Sequence, residues 1–513
     1  MAAGDLATSI PISIWILVGA VGLVLYILRV RFRPGLRNIP GPFLASLTNF
    51  WRLYDVSKGS HYQTLIDLHR KHGSDLIRIG PNTVSVADPE AVKTIYGLKK
   101  GFNKSEFYHV QQNISHGKPL TNIFNTTDED FHAAIKRPVA YSYSMTSLKQ
   151  YEPFVDTTSQ LFCRKLVQNF AEPRKACDLG TWLQYYAFDV IGEITFSKRF
   201  GFLETGTDVE GVIADIEWRL GYFAVIGQMP QLDRFLLKSP IAMRMIPNNH
   251  VVKFSIQQVQ ARMDKPADRK DFLGAFLQAK KDWPELVNDR QVLSYSNSNI
   301  FAGSDTTAIS LRSILYYMLK NQRILDRVIA EIDDIVGSRD CSRAPITFTE
   351  ANQMPYLQAV LRESLRIHPA VGLLLERVVP AGGVSITNTF LPEGTILGIC
   401  PWVLHRDKRV FGQDADIFRP ERWLEATPEV LKVIERSNLA FGSGSRTCIG
   451  KHISLLEMSK IVPQLLWTFE FELAQPHKDW KLHDMWFVKQ MDFNVYVKRR
   501  SGRNVILEDG TSH

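Results

Sequence analysis

The reading of this chain turns on LAFGSGSRTCIGKHISLLEM, Leu439–Met458. Glycines and serines lead into one arginine and one cysteine, and a helical pattern begins at once. A cysteine at a helix N-terminus has its thiolate stabilised by free backbone N–H groups and by the helix dipole. Gly442 and Gly444 let the backbone approach something flat and bulky. Arg446 offers a charge to an anionic group beside it. Such a thiolate suits a haem iron; the competing reading is a buried structural cysteine near a turn.

The chain has 513 residues, of which 45% are hydrophobic and 22% charged, with a formal net charge of +8. That is an ordinary globular composition with a mildly basic balance, compatible with an acidic partner or an anionic membrane surface. No Lys/Arg run interleaves with aromatics, which argues against nucleic acid. The cysteines (Cys163, Cys177, Cys341, Cys400 and Cys448) are too few and too scattered for a disulfide framework or a zinc site,, and a reducing compartment fits best.

Leu6 to Leu28 carries no charge, and a bilayer span takes about 20 apolar residues,. Arg29, Arg31, Arg33 and Arg37 come next, with no acidic residue before Asp55. The charge bias places the chain beyond the span on the cytosolic side. The sequons at Asn103, Asn113 and Asn125 are then expected to carry no glycan. Three parts result: a membrane anchor and flank over 1–32, a rigid Pro/Gly hinge over 33–43 (RPGLRNIPGPF), and one catalytic body over 44–513,. Within the body, DLIRIGPNTVSVADPEAV alternates like a small sheet and helical patterning dominates from about Glu129 to Arg366. A charged linker falls at Ala261–Asp271. Short strands return over Arg377–Ile399, before one final helix and C-terminal strands. The fold class is mainly α with small β-sheets. Trp218–Leu232 reads as an apolar interhelix loop that dips into the membrane.

FGSGSRTCIG resembles the haem-binding signature of the cytochrome P450 superfamily, F-x-x-G-x-R-x-C-x-G, with Phe441, Gly444, Arg446, Cys448 and Gly450 at its fixed positions. The resemblance covers essentially the whole chain and includes further motifs. ESLR resembles the E-x-x-R pair, Glu363 and Arg366, with Arg422 of FRPERW as the third member; the resemblance implies that this trio fixes the cysteine loop. IFAGSDTTAIS resembles the long central helix, with Ala302 against the haem, Gly303 making room for it, Thr306 hydrogen-bonding activated dioxygen and Asp305 relaying protons. Arg377 and Arg446 match positions that pair with the haem carboxylates. The family's W-x-x-x-R is altered: His132 and Lys136 occupy it, with Arg137 next, so either Lys136 or Arg137 is implied to bind a carboxylate. His368 and His405 are landmarks that look like neither ligand nor base.

SEFYHVQQNISHGKPLTNIFNTTDEDFHAAIKRPVAYSYSM resembles the fungal pisatin demethylase-like branch, whose members tailor secondary metabolites. The implied reaction is a haem-thiolate monooxygenation of a lipophilic terpenoid or polyketide. Electrons would come from NADPH through a separate NADPH–cytochrome P450 reductase, with cytochrome b5 a second candidate donor, at the endoplasmic reticulum membrane. Alternatives are an O2-independent haem-thiolate isomerase or dehydratase, and a non-catalytic haem-binding membrane protein. The expected substrate wall comprises Ser298, Asn299, Val371, Leu373, Leu374 and Phe487. Asn297 and Asn299 are equally able to orient a substrate oxygen or to bond the helix backbone.

Overall fold

A computed structural model describes residues 12–98, 101–115, 117–245, 250–264, 269–337, 339–341 and 344–503. The start of the expected membrane span (6–11), four residues of the charged linker (265–268) and the last ten residues lie outside them. The principal helices are α1 (Ile12–Arg31), α2 (Glu129–Lys136), α3 (Leu179–Phe196), α4 (Val212–Ile226), α5 (His250–Asp264), α6 (Asp289–Leu319), α7 (Pro355–Ile367) and α8 (Lys451–Thr468). The long α6 is opened by Asn288, whose side chain accepts a hydrogen bond from the Gln291 N–H, satisfying one of the free donors of the first turn. It packs along α3 and also against α7 and α8. The largest buried cluster fills the space between these helices, with Phe188, Ile191, Leu311, Leu315, Leu361 and Leu465 among its members.

Strands β1 (Leu76–Gly80) and β2 (Thr83–Val86) form an antiparallel pair, Leu76 opposite Val86. Distant chain completes that sheet: β3 (Arg377–Val378) and β4 (Ile396–Ile399) give the order β1-β2-β4-β3, with β2 and β4 parallel. Alternation predicts one wet face, but β1 and β2 are buried at every position. The segment before the sheet covers it: Leu36 and Ile39 are buried in the same cluster as Val84, Val86 and Leu397. The Pro/Gly stretch is therefore packed onto the body.

Helix α1 ends against this sheet. A helix terminus leaves its last carbonyls without partners, and here the buried Arg78 of β1 supplies them. Its Nη1 donates to the Arg31 carbonyl at 2.9 Å and its Nη2 to the Val30 carbonyl at 2.6 Å. The rest of α1, with a mean hydropathy of 2.2 over Ser13–Arg31, is not buried against any other part of the protein among the described residues.

Trp218–Leu232 is not a loop. Most of it belongs to α4, which buries Leu220 and Phe223 and exposes Trp218. The apolar surface lies instead on Trp218 together with Phe235, Leu236, Ile241 and Met245 of the next connection. Helix α4 packs on Phe50–Ser57, whose Phe50 and Tyr54 are also exposed. Two of the three sequons are closed to glycans in the folded chain, since Asn113 and Asn125 are buried.

Replacing Arg78 with Met strips partners from the end of α1. Limited proteolysis should then show faster cleavage within residues 33–43, while the body beyond resists as before.

Candidate functional site

Residues Phe441 to Cys448 form a tight reversal in which the Cys448 N–H donates to the Phe441 carbonyl at 2.9 Å. Gly444 has φ of 66° and packs so closely that a Cβ there would lie 1.7 Å from the Tyr96 carbonyl oxygen. No other residue type fits. Helix α8 starts three residues beyond the cysteine. The thiol is accessible, and the surface it presents is the wall of an internal cavity. Enclosure pushes its pKa up, opposed by the Gly450 and Lys451 N–H groups and the Lys136 charge,.

The loop is held from behind. Glu363 and Arg366, on one face of α7, are fully buried and joined by two hydrogen bonds, Arg366 Nη2 to Oε1 at 2.7 Å and Nε to Oε2 at 2.8 Å. Arg422 Nε donates to the same carboxylate at 3.0 Å and Trp423 Nε1 at 2.9 Å. These donors hold the Glu363 pKa down although burial alone would raise it,. Arg366 Nη1 donates to the His405 carbonyl, and the His405 ring extends the chain of bonds. Its Nδ1 lies 2.8 Å from the Arg366 carbonyl, and its Nε2 accepts from the Leu439 N–H at 2.8 Å. Burial drives this imidazole's pKa down to about 3, so it is neutral and can donate at one nitrogen while accepting at the other,. His405 is thus a strut between the buried ion cluster and the first residue of the cysteine loop.

The cavity measures about 280 Å³. Cys448, Phe441, Ile449 and Gly450 line it on one side, and Ser298, Asn299, Ala302, Gly303 and Thr306 of α6 on another. Val371, Leu375, Trp486 and Phe487 also line it, with Arg377 and Arg446. The structure so gathers segments from most of the chain around one sulfur. Gly303 does more than clear room for a flat group: a Cβ there would sit 2.9 Å from Ile191, so the glycine is what lets α3 approach α6.

Several expected positions fall elsewhere. Leu373 and Leu374 do not line the cavity. Beyond the end of α7 the chain is irregular, and their side chains turn into separate parts of the core; Leu375 reaches the cavity in their place. Lys136 and Arg137 are also absent from its wall. Lys136 Nζ donates to the Ser445 carbonyl at 2.9 Å, and the Arg137 guanidinium lies 5.8 Å from the Trp283 ring centre. The Asp305 side chain leaves the cavity and accepts from Gln184 Nε2 of α3 at 2.5 Å; burial raises its pKa. Asn299 has both ends of its amide engaged, accepting from the Tyr143 hydroxyl at 2.6 Å and donating to Thr195 Oγ1 at 3.3 Å. Asn297 also lines the cavity, and its Oδ1 has no hydrogen-bond partner among the described residues.

One residue carries no signal in the sequence. Lys104 lies on the cavity wall, 7% exposed, with its Nζ 2.6 Å from the Phe124 carbonyl and 4.0 Å from the centres of both the Tyr108 and Phe124 rings. It belongs to no motif, and no local pattern marks it. His132 lines the same wall. Arg446 pairs with Glu129 of α2, yet its Nη2 is misaligned for that hydrogen bond and has no other acceptor. This lining fits a flat cofactor with carboxylate substituents: a thiol, small residues on α6, and clustered basic groups with hydrogen-bonding capacity to spare,.

His405→Leu removes the strut and leaves the Leu439 N–H and the Arg366 carbonyl buried without partners. A stability loss of about 2 kcal/mol is expected, read by denaturant unfolding, together with a lower haem content after purification.

The Cytochrome P450 family model matches residues 40–492. A cytochrome P450 monooxygenase of Emericella nidulans, cicH, is 43% identical over 484 residues, covering 93% of this chain and 96% of that protein. The pisatin demethylase of Fusarium vanettenii is 37% identical over 93% of this chain and 91% of its own length. The monooxygenase mpaDE' of Penicillium brevicompactum is 38% identical over 94% of this chain, which spans only 57% of that longer protein.

Proposed function

The chain belongs to the cytochrome P450 family of haem-thiolate monooxygenases, and from that premise we propose that it inserts one oxygen atom from O2 into a lipophilic fungal secondary metabolite, a terpenoid or a polyketide. The observation that carries this reading is the convergence of Cys448, Ala302, Thr306 and an apolar wall on a single cavity.

Bound haem would supply dioxygen activation, assisted by electron donation from its thiolate ligand. The chain's own residues do the rest. Cys448 provides the thiolate, with the Gly450 and Lys451 N–H groups directed to its sulfur. Phe441, Gly450 and Ala302 bound the ring space, and Arg377 and Arg446 stand at its polar edge. The Thr306 hydroxyl donates to the Ala302 carbonyl at 2.8 Å, which leaves its oxygen free to accept a proton-bearing partner inside the cavity,. Asp305, its pKa raised by burial, sits behind Thr306 on the Gln184 side, and Gln184 in turn accepts from Arg312 Nη2 at 3.0 Å. In this reading Asp305 holds a proton for Thr306 and releases it by turning from Gln184 toward the cavity.

Phe124, Leu220, Phe301, Val371, Trp486 and Phe487 give the substrate an apolar enclosure,. With Asn299 tied on both sides, Asn297 is the amide available to orient a substrate oxygen. Helix α1, its arginine flank and the exposed apolar residues on and after α4 support a single-pass anchor in the endoplasmic reticulum membrane, with the body cytosolic,. Electrons from NADPH would arrive through NADPH–cytochrome P450 reductase, with cytochrome b5 as a second donor, on the basic face that carries Lys136, Arg137 and Lys451.

Expression beside a reductase, with metabolite extracts as feed, tests the reading by mass spectrometry. A product heavier by one oxygen should appear and should vanish in Cys448→Ala. Thr306→Ala should keep consuming NADPH while product per NADPH falls about tenfold or more and peroxide accumulates. Unchanged coupling in that variant would remove Thr306 from its role.

A further inference from the structure

One wall of the cavity carries more positive charge than the protein neutralises. Lys104, Arg377 and Arg446 all line it. Arg446 is paired with Glu129. The nearby Glu376 is already committed, its carboxylate meeting Arg52 and accepting from the Ser105 hydroxyl at 2.5 Å. With Lys104 protonated, three cations face one available carboxylate, an excess of two. Lys104 is the extreme case: among the described residues it has no acidic partner, and only the Phe124 carbonyl and two aromatic faces surround its ammonium. A buried ammonium in such a place lacks the counter-charge that normally accompanies burial.

We propose that Lys104 holds a haem propionate, taking over the role that Lys136 and Arg137 are turned away from, and that loading the cofactor takes up a proton at this residue. The inference rests on the haem-thiolate reading. Its geometry is independent of the cysteine loop: Lys104 precedes the short helix Glu106–Gln111 and reaches the cavity from a separate part of the chain. A porphyrin with two propionates brings the two negative charges the wall lacks.

The electrostatics give the sign. Without an anion, burial first, and then repulsion from Arg377 and Arg446, push the Lys104 pKa far down, and Glu129 offsets this only in part. The other groups facing it are the Tyr108 phenol, pushed up to about 12, and His132, held down to about 3 by burial and the surrounding cations. Neither changes charge near neutral pH. A carboxylate against Lys104 raises its pKa, so the loaded state binds the extra proton. Haem binding is then strongest below the unloaded-state pKa of Lys104, weakens as pH rises above it, and has lost this contribution once pH passes the loaded-state pKa.

The test measures haem transfer from the full-length holoprotein to excess apomyoglobin at a series of pH values from about 7 to about 9.5. Wild type should lose haem faster as pH rises. Lys104→Met should lose it about tenfold faster at neutral pH, the effect of one charge-assisted hydrogen bond, with a flat pH profile. Lys104→Arg, which cannot shed its proton, should hold haem at the slow neutral-pH rate across the range. A Lys104→Met profile matching wild type overturns the proposal. If that variant fails to fold, a Lys104→Arg profile that keeps the wild-type rise overturns it equally. The red-shifted Soret band of the reduced carbonyl form judges the underlying reading separately. If the band is present in wild type while the profiles coincide, only the Lys104 assignment falls; if it is absent from wild type, haem-thiolate ligation itself falls.

Discussion

The site depends on one buried carboxylate. Glu363 is sealed from solvent, and Arg366, Arg422, Trp423 and the Arg419 N–H all donate to it. An ionised group in that position is stable only while its donors remain, and removing one partner of such a pair costs about 3–5 kcal/mol. The arrangement also constrains geometry. Arg366 and Arg422 spend their remaining N–H groups on the carbonyls of His405, Phe411, Asp414, Ala415 and Ile417. Irregular chain that would otherwise satisfy its backbone with water is thereby pinned to α7. Through His405 the same cluster reaches Leu439, so the cysteine loop inherits its position from a charge that never meets the substrate.

Helix packing makes another part of the wall of the cavity that the loop lines. Helices α3 and α6 come together because Gly303 presents no side chain to Ile191. Ser298, Ala302 and Thr306 leave α6 thin where the cavity needs depth. The apolar roof comes from elsewhere: the Trp486 ring lies 5.2 Å from that of Phe223, 5.6 Å from Phe107 and 5.8 Å from Phe124. Trp486 and Phe124 line the cavity, while Phe107 and Phe223 pack against Trp486 from behind. Charge is distributed just as unevenly. Basic groups collect at one edge, while the acid on α6 is drawn to the other side of its helix by Gln184.

Much of this was legible in the chain. Phe441, Gly444, Arg446, Cys448 and Gly450 are set by one short segment whose backbone cannot form with other residues at Gly444. Glu363 and Arg366 share a helix face because they are three residues apart, and the mainly helical class comes from periodicity. The apolar N-terminal stretch and its arginines declare a helix with a polar flank. Errors arose where the direction of a side chain is not periodic. Leu373 and Leu374 lie in irregular chain after α7, where no repeat says which side faces the cavity. Lys136 and Arg137 lie at the end of α2, where the local turn sends one toward Ser445 and the other toward Trp283.

The sequence by itself determined the position of the Cys448 thiol, the glycine-dependent loop around it, the α7 ion pair and the helical class, because each is encoded within a few consecutive residues or one helical repeat. Only the tertiary structure decided that His405 is a strut and, among the described residues, that Asn297 and not Asn299 keeps free hydrogen-bonding capacity and that Lys104 stands at the basic edge without an acidic partner. Those roles belong to relations between segments far apart in the chain. Burial and hydrogen-bond competition settle them after the chain has packed, and no spacing within a segment records the outcome.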